Sequence, residues 1–396
     1  MRNLIYTILI VLLMISCGKD DNESEGIPPT KAALDTLDLH RFVDQFSVYS
    51  KAWKNYRAYE AWPNGELFYD PNINKVCQVY SAREKHVDLG NGDVFFRNKD
   101  ENGIWSEPVA VATWNDDSQF SKRCHAAGIC KNGDYIALVL EDDFSLSNYA
   151  QVYVYRSSNK GLTWKREEGV ALDGDIIRVS ETSSVFQTKD GRLLSYASVG
   201  LANSYVDQSV KDKSAYCIYS DDNGHSWRYS IMPGGMGYLE GSFLQTDDNV
   251  IYCIARKDDR YNRECIPQMA VSRDNGDNWE YLGPTDIECV DAPVAQLLVD
   301  NYVYILCGDR WKDDNGMMEL KLYILSLDEY KSMEFSGHDY SLSKIAIPKG
   351  FNFGDFSYPA LVETPNNIQG MFYYTDGKQV GIYELFAKKI KIKYVN

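Results

Sequence analysis

From about residue 60 to its end, the chain sets short apolar runs between clusters of Asn, Asp, Gly and Pro. Runs of that length, rich in Tyr, Val and Ile and stopped by turn formers, predict strands joined by tight turns. Six segments repeat one design, an apolar run, a polar turn and a second apolar run. They are ELFYDPNINKVCQVYSAR (66–83), HAAGICKNGDYIALVLED (125–142), ETSSVFQTKDGRLLSYAS (181–198), EGSFLQTDDNVIYCIAR (240–256), DAPVAQLLVDNYVYILCGDR (291–310) and YPALVETPNNIQGMFYYTD (358–376). Each reads as a β-hairpin. The one competing helical pattern is short, around Leu37 to Phe46.

Between the hairpins, three segments match one another: SSNKGLTW (157–164), SDDNGHSW (220–227) and SRDNGDNW (272–279). NKDENGIW, ending at Trp105, is a looser copy, and LSLDEYKSM at 325–333 reads as a fifth that has lost its Gly and Trp. The pattern makes sense as a turn: the Asp or Asn side chain accepts from backbone N–H groups, the Gly takes a positive φ, and the Trp folds back over the loop. A unit recurring this way marks a repeat architecture. Hairpins as inner strands, with these motifs joining the outer ones, predict an all-β fold, a six-bladed β-propeller over residues 40–396, with 40–60 helping to close the ring.

The two ends of a hairpin lie side by side, so Glu240 and Arg256 are expected as neighbours on one rim. The same register brings Arg83, with His86 and Asp88 just beyond it, to that rim, together with His125, Asp142, Glu181, Asp291, Arg310, Tyr358 and Asp376. Propellers bind ligands where such loops converge on the central channel.

Composition narrows the partners. With 44% hydrophobic residues and 29 Tyr the chain has ample material for a core, and a net charge of −16 argues against nucleic acid, whose phosphates an acidic surface repels. An anionic ligand would be held by local arginines. Cys77, Cys217, Cys253 and Cys307 sit inside apolar runs and read as small buried hydrophobes, while Cys124 and Cys130 flank one strand and could pair only if it bends. No CxxC or His-rich spacing points to a metal, and nothing in the pattern asks for a cofactor.

The repeated motif resembles the Asp box of sialidase-like β-propellers, which in that family lies on the face away from the site. Glu240 to Arg256 resembles the sialidase hairpin that opens on Glu and ends on Arg. The stretch SYPALVETPNNIQGMFYYTDGKQVGIYELF resembles the one that begins with the nucleophilic tyrosine, and GNGDVFFRNKDENGIWSEPVAV (90–111) is similar to the first-blade outer strands. The resemblance implies Tyr358 as nucleophile, Glu240 as its general base, Asp88 as acid/base, and Arg256 and Arg310 in the cluster that grips a sialic acid carboxylate. The chemistry suits these types, because guanidinium forks hold a carboxylate bidentately and a neutral tyrosine approaches an anomeric centre beside a carboxylate with less repulsion than an acid would. The family's blade-one Arg-Ile-Pro is missing: LFYDPNIN has no arginine, which leaves Arg57 or Arg83 as substitutes. Two other classes stay open. One is a glycosidase or polysaccharide lyase acting on another acidic sugar through His86, His125 or Tyr358. The other is a non-catalytic surface glycan-binding lipoprotein whose mouth presents aromatics and arginines without a working acid and nucleophile; in any of these readings Glu181 is a candidate for holding substrate.

At the N-terminus, MRNLIYTILIVLLMISCGKDDNESE has a basic start and an apolar run too short to span a bilayer, ending at Ser16-Cys17. The junction resembles a bacterial lipobox with Cys17 lipidated, and the acidic residues after it resemble the surface-export signals of Bacteroidota-type lipoproteins. Residues 1–16 are then a signal peptide and 17–39 a polar tether. The expected location is the outer membrane, facing the cell surface or the periplasm, with an acidic glycan or glycoconjugate as substrate.

Overall fold

The structure, a computed structural model, describes residues 40–45, 67–83, 92–113, 120–143, 149–172, 177–201, 215–237, 240–246, 248–257, 266–290, 292–310, 317–346, 356–375 and 380–388. Its strands form six antiparallel sheets among the described residues. After β1 (His40–Gln45), the first sheet holds β2 (Leu67–Asp70), β3 (Lys75–Arg83), β4 (Gly92–Lys99) and β5 (Val109–Ala112). The second holds β6 (Phe120–Ile129), β7 (Tyr135–Asp143), β8 (Tyr149–Ser157) and β9 (Lys165–Gly169). The third has β10 (Ala171–Leu172), β11 (Ile177–Gln187), β12 (Leu193–Leu201), β13 (Ala215–Ser220) and β14 (Arg228–Ile231). The fourth has β15 (Gly241–Gln245), β16 (Ile251–Ala255), β17 (Gln268–Ser272) and β18 (Glu280–Pro284). The fifth has β19 (Val294–Val299), β20 (Tyr302–Asp309), β21 (Met317–Ser326) and β22 (Asp339–Ala346), and the last has β23 (Phe356–Glu363), β24 (Asn367–Thr375) and β25 (Val380–Lys388).

Five sheets use consecutive strands, and the last is completed from the other end of the chain. There β1 runs antiparallel to β25, His40 opposite Phe386 and Gln45 opposite Gly381. The short helix weighed around Leu37 to Phe46 is therefore a strand from His40 to Gln45, because the edge of β25 supplies its backbone partners. All six hairpins are present as β2–β3, β6–β7, β11–β12, β15–β16, β19–β20 and β23–β24. The first strand of each touches the first strand of the next, β2 to β6, β11, β15, β19 and β23, and β23 touches β2 again. The fold is an all-β propeller.

Its core lies between sheets. Phe68, Val79 and Phe96 of the first pack with Ala127, Tyr135 and Val139 of the second, Tyr196 and Cys217 of the third with Phe243 and Cys253 of the fourth, and Met371 of the last with Tyr80 of the first. The described cysteines, Cys77, Cys124, Cys130, Cys217, Cys253, Cys289 and Cys307, are free and buried in these layers. Burial pushes Cys77 and Cys130 up to about 12, which keeps both thiols protonated and unreactive.

The box motifs join third and fourth strands, as the spacing predicts. In each full copy the leading serine accepts from the glycine amide, Ser157 from Gly161 at 2.9 Å, Ser220 from Gly224 at 2.8 Å and Ser272 from Gly276 at 2.8 Å. Asn159, Asp222 and Asp274 accept from backbone amides of Thr163, Ser226 and Asn278. Trp227 and Trp279 fold back so that the indole N–H donates to the carbonyl of their own box glycine. In the looser copy Asp100 does the capping, accepting from Ile104 N at 2.7 Å. Gly161 has φ +84, and a Cβ there would enter the Phe96 ring of the preceding sheet, so the motif needs glycine for packing as well as for turn geometry.

Each box also rests on the inner hairpin turn of the sheet before it. Lys160 pairs with Asp70 at 3.0 Å, Asn223 Oδ1 accepts from Asn132 N at 3.3 Å, and Asp277 accepts from Arg192 at 2.7 Å. In the fifth sheet, 325–333 is not a degraded box. Ser326 caps a one-turn helix α1 (Leu327–Lys331) in a capping box with Glu329, and Lys331 reaches Asp248 at 3.0 Å. The helix thus fills the place of a box. Because boxes lie with the hairpin turns, they occupy the face opposite Glu240 and Arg256.

One prediction follows from the box acids. Burial raises Asp222, but hydrogen bonds from the Ser226 side chain and amide, from Ser220 and from the His225 amide outweigh it and hold the carboxyl at about 2, below its ordinary 3.8. A group depressed in the folded state stabilises fully above its unfolded value, and that contribution is lost as pH falls through the folded one. Asp222→Asn should therefore soften the fall in melting temperature between about pH 4 and pH 2. Superimposable acid limbs for the two proteins in thermal melts would refute it.

Candidate active site

Glu240 and Arg256 meet where the β15–β16 hairpin opens. The Arg256 amide donates to the Glu240 carbonyl at 2.8 Å, continuing the ladder one step past Gly241 opposite Ala255. The side chains pair as well, Arg256 Nη1 lying 3.1 Å from Glu240 Oε2 and 3.3 Å from Oε1. The sequence places this pair at a rim, where an exposed ion pair is worth little. The structure buries it, with Glu240 4% and Arg256 2% exposed. Two charges taken out of water this far depend on one another.

A second pair lies at the corresponding ends of the fifth and last sheets. Arg310, directly after β20 and buried, sets its guanidinium carbon 5.1 Å from the centre of the Tyr358 ring. Tyr358 is half-buried and packs on a cluster that includes Leu67, Tyr80 and Ala82 of the first sheet. Its backbone has φ +44, an unusual state for an aromatic residue, and it sits in a bulge where the register of β23 against β24 shifts between Ser357 and Ala360. Backbone of this kind persists only where its surroundings impose it, and it concentrates at functional sites.

Two other inner strands bulge in the same way. In β6 the register shifts between Cys124 and Ala126, which makes His125 the extra residue, and in β11 it shifts between Ser183 and Phe186 beside Ser184 at φ +56. His125 and Glu181 do not begin their strands as the hairpin pattern suggests: β6 starts at Phe120 and β11 at Ile177. Pairing with β7 and β12 extends both strands, through Phe120–Cys124 in β6 and through the alternating Ile177–Ser180 in β11. Arg83 is the last residue of β3, opposite Gly92. Arg57, His86, Asp88, Asp291 and Asp376 lie outside the described residues.

The pattern along the chain missed the residues that grip the Glu240 segment. Ser183 Oγ accepts from the Gly241 amide at 2.9 Å and donates to the Gly241 carbonyl at 3.1 Å, and Tyr196 donates to the carbonyl of Gly237. The serine pair after Glu181 and the GGMG run before Glu240 are the only hints the sequence carries. Also unforeseen is Glu141, 3% exposed, which gathers Lys122 at 2.9 Å, Arg166 at 2.9 Å and the Tyr155 hydroxyl at 2.8 Å. Burial raises its carboxyl, but the bonds from Arg166, Lys122 and Tyr155 prevail and hold it below the ordinary value. It is an ionic knot inside the second sheet.

Fold and site together define a propeller in which one hairpin opens on a buried acid–arginine pair and two neighbouring sheets bring an arginine over a tyrosine. The BNR repeat-like domain model matches residues 82–373, and the chain belongs to that family. A sialidase of Clostridium perfringens is 20% identical over an alignment of 244 residues that covers 56% of this chain and 60% of that protein. The chain thus spans about three-fifths of the length of this curated relative. Among solved structures, the phage phi92 endosialidase has a TM-score of 0.68 at 12% identity, covering 91% of this chain and 70% of its own. A Dyadobacter fermentans protein of unknown function has a TM-score of 0.60 at 17% identity, covering 84% and 97% respectively. Trypanosoma rangeli sialidase in complex with sialic acid gives a TM-score of 0.57 at 11% identity, covering 88% and 59%. At these identities the likeness is one of fold, a sialidase-like propeller.

Proposed function

We propose that the protein is a sialidase-type glycoside hydrolase, an exo-α-sialidase built on six blades, one for each sheet. The observation that carries this reading is Arg310 poised over Tyr358, a tyrosine whose backbone is held at φ +44. A cation beside a phenol favours the negative charge that grows on the oxygen as it gives up its proton. In the proposed reaction the Tyr358 oxygen attacks the anomeric carbon and Glu240, paired with Arg256 at 3.1 Å, takes the phenolic proton. The bond to the leaving oxygen breaks as Asp88 protonates it. Water then attacks the anomeric carbon and gives its proton to Asp88, while the bond to Tyr358 breaks and its oxygen regains the proton from Glu240, with retention overall. Arg256 and Arg310, with Arg57 or Arg83, hold the sugar carboxylate.

Incubation with a panel of sialylated and uronate-rich glycans tests this: free sialic acid is expected. A second reading rests on the β6 bulge at His125, since bulges re-aim side chains next to active sites. It makes the protein a lyase or glycosidase for another acidic sugar, and release of uronate products alone would favour it. No release from any glycan would favour a binding protein.

The anchor belongs to the same proposal. A lipid on Cys17 would hold the enzyme on the outer membrane, at the cell surface or in the periplasm, within reach of glycoconjugates. Cys17→Ala should move the protein from the membrane fraction to the soluble fraction, and a variant that still sediments with membranes would refute the anchor.

A further inference from the structure

The Glu240–Arg256 pair stands on a clamp supplied by the neighbouring sheet and by the strand-to-strand connection before it. Gly241, the residue after Glu240, is held on both backbone polar groups by Ser183, and its carbonyl also accepts from Ser184 Oγ at 3.3 Å. The Tyr196 ring lies flat against it: a Cβ on Gly241 would come within 2.5 Å of that ring. Tyr196 is fully buried on β12, and its hydroxyl donates to the Gly237 carbonyl. Gly237 crosses directly over the backbone of Arg256, where any Cβ would overlap the Arg256 carbonyl oxygen. Its φ is not in the left-handed region, so this close approach alone accounts for glycine there. Burial first, then Cys253, Cys217 and last Glu240, push the Tyr196 phenol well above its ordinary value, so the hydroxyl stays a donor.

We propose that Tyr196, Ser183 and Gly237 form a positioning set that fixes Glu240 and Arg256 relative to each other at the mouth. The set rests on the sialidase reading for its kinetic consequence and not for its structural one. Ser183 and the Tyr196 ring act on the Glu240 side through Gly241, and the Tyr196 hydroxyl acts on the Arg256 side through Gly237. A carboxylate that must take a proton tolerates little displacement, because misplacement by about 1 Å can cost on the order of 100-fold in rate.

Tyr196→Phe keeps the ring against Gly241 and removes only the hydroxyl, so it carries the test should Gly237→Ala fail to fold. Hydrogen exchange should quicken about fivefold in a peptide covering 240–256, the rate change expected for one lost hydrogen bond, while a peptide from β6–β7 stays unchanged. With a sialoside substrate, kcat should fall roughly 10- to 100-fold with a smaller change in KM, and Ser183→Thr, which keeps a hydroxyl, should lose less than Ser183→Ala. Unchanged exchange in Tyr196→Phe would overturn the proposal. So would faster exchange with unchanged kcat, which leaves only a packing role. If the wild type turns over no sialoside, the functional reading fails by itself, and the exchange result still decides whether the set positions the pair.

Discussion

Tyr358→Phe should leave the propeller folded and remove nearly all turnover of a sialoside. The substitution deletes one oxygen from a ring that packs on Leu67, Tyr80 and Ala82 and lies under Arg310. Those contacts belong to the ring, and phenylalanine keeps them. Stability should change by no more than about 1 kcal/mol. The oxygen is another matter, since a retaining mechanism without its nucleophile has no covalent intermediate, and loss of a nucleophile costs on the order of a thousandfold or more in kcat. Arg310→Lys should act differently, because it replaces a planar fork with a point charge and so weakens the hold on a carboxylate, raising KM by roughly ten- to a hundredfold. A Tyr358→Phe enzyme of full activity would remove the tyrosine from the mechanism. Were His125→Ala inactive at the same time, the chemistry would pass to the histidine.

The parts of this architecture that show in the sequence are those made by near neighbours. A hairpin needs alternating apolar runs and a turn, and ELFYDPNINKVCQVYSAR carries both within its own length. A box needs a serine or aspartate four residues before an amide it can cap, and the Ser220–Gly224 and Asp222–Ser226 bonds are of that range. The site is composed otherwise. Tyr196 reaches Gly237 and Ser183 reaches Gly241 across sheets, so neither contact leaves a periodic trace. The bulges at His125, Ser184 and Tyr358 break the alternation that register arguments rely on, and pairing with β7 and β12 carries β6 and β11 past the hairpin ends, which leaves His125 and Glu181 inside strands. Glu240 and Arg256 could be paired from the hairpin alone, but their burial could not, because it depends on segments distant in sequence, among them Gly237, which lies against the Arg256 backbone. The segment 325–333 misleads for the opposite reason. Its Ser326 and Glu329 form a local helix signal, yet its position in the repeat asks for a box.

Breaking the Glu240–Arg256 pair from one side should destabilise the protein far more than removing it from both. With Arg256 2% and Glu240 4% exposed, neither charge can turn to bulk water when its partner is gone. Arg256→Ala takes away the guanidinium 3.1 Å from the buried Glu240 carboxylate, and losing one partner of a buried pair costs about 3 to 5 kcal/mol. The double variant Glu240→Leu with Arg256→Met leaves no charge behind and fills similar volume, and such replacements are often neutral or better. The backbone bond from the Arg256 amide to the Glu240 carbonyl survives in every variant, so the comparison isolates the side chains. Urea unfolding of the single and double variants should thus separate them by at least about 2 kcal/mol, with the double nearer the wild type. Equal losses in both would mean that water reaches the pair and that its burial does not govern its energy. If the double variant is as stable as the wild type yet inactive, the ion pair adds nothing to stability that apolar packing would not, and its place in the protein rests on turnover.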